Sequence, residues 1–324
     1  MSSMIDAKHR GWQYDTATKS FAFLVEDRNG NVTKIYDEYG LKPAEVAGTD
    51  FFVDGNAGVD TNSGRSWDSA FKTLAVAMAA SHADIAASSK GWAARNRIFF
   101  KADASVENLT KFAQKTDIIG VGSMDWRSKG ALKGNHVVPN TISYQGCRFI
   151  NVEFSGPTAT GGDIITMASQ HGIEFIGCSF RGNSTTAATA AVIATACVDL
   201  RFLGCDFTGA FSDAVIELGA GQADGFRVED CFIQGANMGI DIPATVTYAA
   251  NKVGMIKDNV ISSTLACIND ALGTTFVINN RLRTAAAKGT AMAGCIVCGL
   301  TYAQDNRCTT ADANNVVYPA QGTI

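Results

Sequence analysis

Ile173-Glu-Phe-Ile-Gly-Cys-Ser-Phe-Arg-Gly182 is the stretch on which most of the chain is patterned. Related stretches recur at Cys147–Gly156, Leu200–Gly209 and Phe226–Gly235, and weaker copies continue to residue 310. Aligning the copies on Cys178 gives an anchor column whose members are 21 to 28 residues apart. The members are Val152, Cys178, Cys205, Cys231, Asn259, Asn280 and Asn306. A repeat of this length predicts a solenoid in which each copy forms one coil.

Each repeat reads as short strands without a helix. In the copy quoted above, Ile173, Phe175, Cys178 and Phe180 are apolar at nearly every second position, and a one-residue break before the cysteine predicts a corner between two strands. Leucine-rich repeats need a different consensus, and propeller blades are longer, about 40 residues. The predicted fold is therefore all-β, a single-stranded right-handed parallel β-helix.

Residues one repeat apart in such a coil lie directly above one another, about 4.8 Å apart. The anchor column would then be an inward file of small apolar side chains, Val152 and the three cysteines, which Asn259, Asn280 and Asn306 continue as a ladder of amides. A metal or redox site is the alternative interpretation of the cysteines. Because free cysteine packs as a small buried hydrophobe, we expect a structural ladder, with no metal and no cofactor.

The bulk properties exclude several classes of function. The chain has 324 residues and a net charge of −4, so it lacks the basic surface that nucleic acid or an anionic membrane would require. The first ten residues lack the apolar core of a signal peptide, and no apolar run is long enough to cross a membrane. Nine cysteines, mostly at inward strand positions, suit folding in a reducing cytoplasm.

The first 48 residues differ from the rest and are predicted to form a separate arm. Phe21–Val25 and Val32–Tyr36 are strand candidates on either side of the turn signal Asp27–Gly30, so we expect a hairpin. The arm is rich in aromatic residues and is interpreted as an anchoring or docking segment. The candidate docking residues are Trp12, Tyr14, Phe21, Phe23, Tyr36 and Tyr39.

The stretch Asp50–Leu74 carries a more specific resemblance. Its strand, its Val-Asp-Gly-Asn turn and its Phe-Lys-Thr-Leu ending are similar to the opening of pectate-lyase-like right-handed parallel β-helix proteins, including those of tailed-phage virions. A helix near residues 68–80 is expected to follow, with Asp68 or Ser69 as its cap and Phe71, Leu74, Ala75 and Met78 on one face. The resemblance implies that this helix closes the open end of the solenoid.

Two further segments near this end have simpler interpretations. Asp54, Asn56, Asp60 and Asn62 lack calcium-loop spacing and are interpreted as turn residues. Residues 123–140 show no periodicity and are expected to form a surface loop. The predicted organisation is thus an arm at 1–48 and a β-helix with its capping helix at 49–324.

Two classes of function remain open, and the sequence favours the first. The first is a non-enzymatic virion protein, such as a capsid decoration protein, fibre or tailspike, folded in the host cytoplasm. It would bind other virion proteins through the arm and form a homotrimer, as the resemblance implies. The second is a polysaccharide-degrading β-helix enzyme with a host surface glycan as its partner. Its candidate catalytic residues are Asp213, Glu217 and Asp241, because carboxylates on adjacent turns could form the pair that glycoside hydrolysis needs.

Overall fold

The computed structural model describes most of the chain beyond the arm. The described residues are 8–15, 20–26, 32–37, 40–41, 47–87, 94–101, 104–122, 129–139, 145–156, 162–182, 188–235, 237–249, 252–273, 275–285, 294–298 and 302–309. For residues 8–47 the description concerns the backbone alone. None of the described helices is long and apolar enough to cross a membrane.

The N-terminal segment forms its own antiparallel sheet of four strands, which are β1 (Lys8–Asp15), β2 (Ser20–Glu26), β3 (Val32–Asp37) and β4 (Gly40–Leu41). They pair in the order β1-β2-β3-β4. The expected hairpin is present, because β2 and β3 pair with Phe23 opposite Tyr36. None of these four strands belongs to a sheet of the solenoid.

From Ala47 onward the chain winds as a right-handed parallel β-helix, which confirms the predicted fold class. Three parallel sheets form its sides. Sheet 1 contains β5 (Ala47–Val53), β6 (Arg95–Lys101), β8 (Thr116–Val121), β11 (Arg148–Ile150), β14 (Glu174–Ile176), β17 (Arg201–Leu203), β21 (Arg227–Glu229), β25 (Met255–Lys257), β28 (Phe276–Ile278) and β31 (Tyr302–Gln304).

The other two sheets follow sheet 1 in each turn of the coil. Sheet 2 contains β7 (Ala104–Val106), β9 (Gly130–Lys133), β12 (Val152–Ser155), β15 (Ser179–Arg181), β18 (Asp206–Thr208), β22 (Phe232–Gln234), β26 (Val260–Ser263), β29 (Arg281–Thr284) and β32 (Arg307–Thr309). Sheet 3 contains β10 (His136–Val138), β13 (Ile165–Ala168), β16 (Val192–Thr195), β19 (Ala214–Gly219), β23 (Met238–Ile242), β27 (Ala266–Asp270) and β30 (Gly294–Cys298). A small pair, β20 (Gly221–Gln222) and β24 (Val246–Thr247), lies beside them.

The corner between sheets 1 and 2 repeats one backbone device. The residue before each member of the anchor column has a positive φ, between 53° and 60°. Only glycine, asparagine and aspartate adopt this left-handed conformation readily. The corner residues are Asn151, Gly177, Gly204, Asp230, Asp258, Asn279 and Asp305. This conformation produces the one-residue break in the apolar alternation.

The core is built from stacked files of equivalent residues. On sheet 1, the rings of Phe149, Phe175 and Phe202 stack with centroids 5.3 and 5.1 Å apart. On sheet 2, Phe154, Phe180 and Phe207 do the same at 5.2 and 4.5 Å. The two files meet edge to face across the core, a favourable geometry for aromatic rings.

A helix covers the first turn, as expected, but its bounds differ from the prediction. Helix α1 is Leu74–Ala87, and Trp67–Ser69 forms a separate 3-10 turn. Asp68 and Ser69 therefore lie before the helix and do not cap it. Leu74, Ala77, Met78 and Ser81 are its buried residues, whereas Ala75 is exposed. Phe71 is buried but precedes the helix.

The loop predicted for residues 123–140 is wrong over residues 130–138, which contain two strands, whereas residues 123–128 and 140 lie outside the described part of the chain. Strands β9 and β10 lie there and pair with β12 and β13 of the next turn. Lys129 falls within the predicted loop, yet it is buried, and its Nζ donates hydrogen bonds to Gly177 O at 2.5 Å and Ser179 Oγ at 2.8 Å. This turn lacks the aromatic and cysteine positions of the other repeats, so the repeat pattern does not predict its strands.

Candidate functional site

Two of the three candidate catalytic residues are register neighbours on sheet 3. Glu217 on β19 pairs directly with Asp241 on β23, and both side chains point outward from half-buried positions. They do so because Ile216 and Ile240 beside them face the core, and successive residues of a strand face opposite sides. Adjacent strands lie about 4.8 Å apart, which is close to the ~5 Å carboxylate separation of retaining glycosidases.

Asp213 lies close to this pair but outside the strand. It immediately precedes β19, and its backbone N–H donates to Thr189 O at 3.0 Å. Asp163, two turns earlier, is also nearby. Its carboxylate is partly used locally, because it accepts hydrogen bonds from Thr166 Oγ1 at 3.1 Å and from the Ala190 N–H at 3.2 Å.

The environment raises the pKa values of both paired carboxyls. For Glu217, burial is the main cause of the higher pKa, and the charges of Asp241, Asp213 and Asp163 add to it. The pKa of Asp241 is also raised, chiefly by burial, although a 2.7 Å hydrogen bond from Asn269 Nδ2 opposes the shift. A carboxyl with a raised pKa is suited to donate a proton near neutral pH. The site can therefore supply a general acid beside a second carboxylate.

The anchor column lies in the core, not at a reactive site. Cys178, Cys205 and Cys231 are buried and free, and burial raises the pKa values of the Cys178 and Cys205 thiols well above the usual range. Their Sγ atoms donate to backbone carbonyls, as from Cys205 to Phe175 O at 3.2 Å. Val152 occupies the same buried column at the start of β12. A thiol with a raised pKa is a poor nucleophile and a poor metal ligand.

The asparagines continue this column as a hydrogen-bonded ladder. Asn259 Nδ2 donates to Asn280 Oδ1, and Asn280 Nδ2 donates to Asn306 Oδ1, both at 2.9 Å. Each amide also binds a backbone carbonyl, as Asn280 Nδ2 does to Ile256 O at 3.0 Å. Backbone N–H groups complete the ladder, since Cys231 N donates to Asn259 Oδ1 at 2.8 Å. The amides thus satisfy polar groups at the corner.

The acidic residues near the first turn act as turn residues. Asp54 Oδ1 accepts from the N–H groups of Asn56 and Ala57, both at 3.0 Å, while Oδ2 pairs with Lys101 at 2.8 Å. Asp60 accepts from the backbone N–H groups of Lys72 and Thr73. Across the described part of the chain, no three His, Cys, Asp or Glu side chains are placed to hold a metal ion.

The candidate docking residues lie in the N-terminal sheet. Trp12 and Tyr14 belong to β1, Phe21 and Phe23 to β2, and Tyr36 to β3. Tyr39 falls outside the described residues. The structure therefore brings five of these positions into one sheet.

The outer face of sheet 1 carries a feature that sequence reasoning missed. On six consecutive strands of sheet 1, two outward-facing positions two residues apart follow a pattern. The first position of each strand is charged, with a sign that alternates from strand to strand, and the second position is apolar. The signal was available in the repeats, because Arg148, Glu174 and Arg201 occupy one column, as do Ile150, Ile176 and Leu203. The inward Phe and Cys columns are the stronger signal in the repeats.

No protein-family model matches the sequence, and no curated protein matches it significantly. Comparison with solved structures finds three matches of low identity. The pectate lyase Pel9A shares 14% identity with a TM-score of 0.45, over 84% of this chain and 80% of the lyase. The pectin methylesterase from Aspergillus niger shares 16% with a TM-score of 0.41, over 84% and 81%. A rhamnogalacturonan lyase shares 10% with a TM-score of 0.34, over 84% and 90%. At these identities and TM-scores, none of the three structures assigns a family or a function to this chain.

Proposed function

We propose that the chain is a non-enzymatic structural protein of a bacteriophage virion, either a capsid decoration protein or a projecting fibre or spike. Residues 1–48 anchor it to other virion proteins, and the β-helix forms the projecting shaft. One observation carries the proposal: the N-terminal strands form a sheet of their own, although the shaft already has a cap. A segment that belongs to no sheet of the shaft and is not needed as its cap supports a role in binding a partner.

The cap is helix α1, and it provides what the first turn needs. An open solenoid end exposes apolar core, so it must be covered. Leu74, Ala77 and Met78 of α1 are fully buried and belong to the same core cluster as Phe51 and Ile98 of the first two strands. The first turn is thus closed by residues after Ala47. This supports docking over capping as the role of the preceding segment.

The experiment is a binding assay on the particle. Virions of the encoding phage, prepared without this protein, are incubated with the full chain or with a chain lacking residues 1–46, and the bound fraction is measured by co-sedimentation. The deletion ends at residue 46 because β5 begins at Ala47. We expect the full chain to bind and the truncated chain to remain in the supernatant. Equal binding of both would contradict anchoring by the N-terminal segment, and absence of binding by both would contradict the virion role.

A polysaccharide-degrading enzyme is the second candidate, and the Glu217–Asp241 pair favours it. Glu217 would donate a proton to the leaving group, and Asp241 would act as the second carboxylate on a host surface glycan. The test compares depolymerisation of host polysaccharides by the native chain with that by Asp213→Ala, Glu217→Ala and Asp241→Ala variants. An activity that all three substitutions reduce by about 100-fold or more would establish the enzyme and overturn the structural proposal. The same negligible rate for all four proteins would exclude the enzyme.

Glu217 also offers a test that does not require a substrate. Its folded-state pKa is raised, so the ionised form destabilises the fold, and stability is lost as pH rises through that pKa. Glu217→Gln is therefore expected to raise the melting temperature at pH 7 and to change it little at pH 4. A variant no more stable than the native chain at pH 7 would contradict the crowded carboxylate site. Asp206→Asn, at a half-buried outward position of sheet 2, is the control.

A further inference from the structure

The outer face of sheet 1 carries two parallel files that extend over the same six turns. We call them the charged file and the apolar file. The charged file is Asp50, Arg97, Asp117, Arg148, Glu174 and Arg201. The apolar file is Phe52, Phe99, Ile119, Ile150, Ile176 and Leu203. Both patterns stop on the same turn, where Arg227 breaks the alternation of charge and Glu229 replaces the apolar residue.

The charged file is internally paired. Arg97 binds Asp50 with two contacts of 2.8 Å, and Arg148 binds Asp117 with contacts of 2.7 and 2.6 Å. Asp117 is largely buried, and Arg95, beside the file, also contacts it at 2.9 Å. Arg201 lies 3.3 Å from Glu174. The file therefore contains equal numbers of acids and bases. A surface of paired charges is less costly to desolvate than one of unpaired charges.

The apolar file leaves hydrophobic surface open on an otherwise charged face. All six residues are half-buried. At one end, Phe52, Phe99 and Ile119 line a depression of 520 Å³ together with Trp67 and residues 120–122. Trp67 is 42% exposed and Val121 is 39% exposed. A contiguous apolar strip of this kind marks an interaction surface more often than an inert one.

We propose that this face binds the same face of a second copy of the chain, with the two shafts antiparallel. The reason is charge complementarity. When two copies of this face meet with antiparallel shafts, each residue of the charged file lies opposite a residue of the other copy's file. The opposed pairs are Asp50 with Arg201, Arg97 with Glu174, and Asp117 with Arg148. Each acid thus meets a base of the second copy. The inference does not depend on the virion role.

Only this orientation aligns both files at once. Two identical faces pack about an axis that lies in the plane between them. A two-fold axis parallel to the strands makes the two shafts antiparallel. The charged file of one copy then faces the charged file of the other, and the two apolar files also face each other. An axis along the shaft reverses the order of the two files, so the charged files cannot face each other when the apolar files do. The homotrimer expected from the sequence is the alternative arrangement. Its shafts would be parallel, so the same residue of each copy would lie at the same level along the shaft.

The same alignment fills the depression. Leu203 of the second copy faces Phe52, and its Ile176 faces Phe99, so two aliphatic side chains enter the space lined by Phe52, Phe99 and Ile119. At the centre, Ile119 faces Ile150 of the second copy. The six turns span about 24 Å, so every apolar residue of the file obtains a partner.

Cross-linking tests the orientation. Phe52→Cys and Leu203→Cys chains of different tag length are treated with a short bis-maleimide, separately and mixed. In the antiparallel dimer these two positions face each other, whereas identical positions of the two copies lie about 24 Å apart and out of reach of the reagent. The seven cysteines whose side chains are described are buried, and the unsubstituted chain controls for reaction at native thiols. We expect the mixed product only. Cross-linking of either variant with itself would indicate parallel shafts, and a chain that does not cross-link and sediments at 34.1 kDa would show that the face does not self-associate. Either result would overturn the proposal.

Charge reversal tests the pairing itself. In a homodimer of the Glu174→Arg variant, the new arginine of each copy faces Arg97 of the other, so two like-charged pairs form. In a homodimer of the Arg97→Glu variant, the new glutamate of each copy likewise faces Glu174 of the other. Each variant alone is expected to dimerise at least tenfold more weakly than the native chain in sedimentation experiments. An equimolar mixture is expected to recover native affinity, because the arginine introduced at position 174 of one chain then meets the glutamate introduced at position 97 of the other. Glu153→Arg, which breaks the equivalent pair with Arg181 on sheet 2, controls for the lost internal ion pair. Failure of the mixture to recover would contradict the antiparallel register.

Discussion

A single column of side chains shows how one position in the repeat is used in two ways. In the first half of the shaft, valine and cysteine fill it and contribute mainly packing. In the second half, asparagine fills it and satisfies backbone groups at the corner. Buried amides are tolerated in a core only when all their polar atoms have partners. The ladder therefore stabilises the corner only while it is uninterrupted.

Substitution of Asn280 is expected to lower the free energy of unfolding far more than substitution of a cysteine in the same column. Asn280→Ala removes the acceptor that serves both the backbone N–H and the Nδ2 of Asn259. It also removes the donor to Ile256 O and Asn306 Oδ1, so four hydrogen bonds are lost. We expect the free energy of unfolding to fall by about 3 kcal/mol. Cys205→Ala, which loses only weak thiol contacts with the carbonyls of Phe175 and Leu203, is expected to lower the free energy of unfolding by about 1 kcal/mol. Urea unfolding measures both, and equal losses would contradict the ladder.

His136 makes stability depend on pH. Its ring is fully buried, and burial lowers its pKa to about 4. The unfolded chain therefore binds more protons between about pH 6.5 and 4, so stability is lost as pH falls through this window. The expected loss is about 3 kcal/mol. His136→Asn, whose amide can still accept from the Leu109 N–H, should remove this component of the pH dependence in unfolding curves. An unchanged pH dependence would show that His136 titrates normally.

At the scale of elements, the start of α1 shows what local sequence could not supply. The helix has no acidic residue in its first turn. Instead, the Glu107 carboxylate accepts hydrogen bonds from the N–H groups of Leu74 and Ala75, both at 2.9 Å. A carboxylate there also opposes the positive end of the helix dipole. Helix existence was predictable from the apolar spacing, but a cap from the next turn was not.

Removal of this cap is expected to destabilise the first turn. Glu107→Ala leaves two helix N–H groups without an acceptor and should lower the free energy of unfolding by about 1–2 kcal/mol. Asp68→Ala serves as the matched control, because Asp68 lies in the preceding 3-10 turn, and it should cost less than about 0.5 kcal/mol. Thermal unfolding monitored by circular dichroism distinguishes them. A larger loss of stability from Asp68→Ala than from Glu107→Ala would indicate that Asp68 caps the helix, as the sequence predicts.

At the scale of the whole molecule, the repeat made the fold predictable. Stacked coils require the same kind of residue at the same place in each turn, so Phe175 and Phe202 or Cys178 and Cys205 reveal the period. A turn without this signature cannot be identified from the period: β9 and β10 lack it, so their residues have the sequence pattern of a loop. The paired register of Glu217 and Asp241 could be anticipated from the period, whereas their raised pKa values depend on burial that only the packed structure defines.

The thermal stability of the shaft without its N-terminal segment tests the central claim most directly. A chain of residues 47–324 retains β5, α1 and every later turn. If residues 1–46 serve a partner and not the fold, its melting temperature should lie within about 3 °C of the full chain, a difference below about 1 kcal/mol. A truncated chain that aggregates, or that melts about 10 °C lower, would show that the segment caps the solenoid and would contradict the proposed role as an anchor.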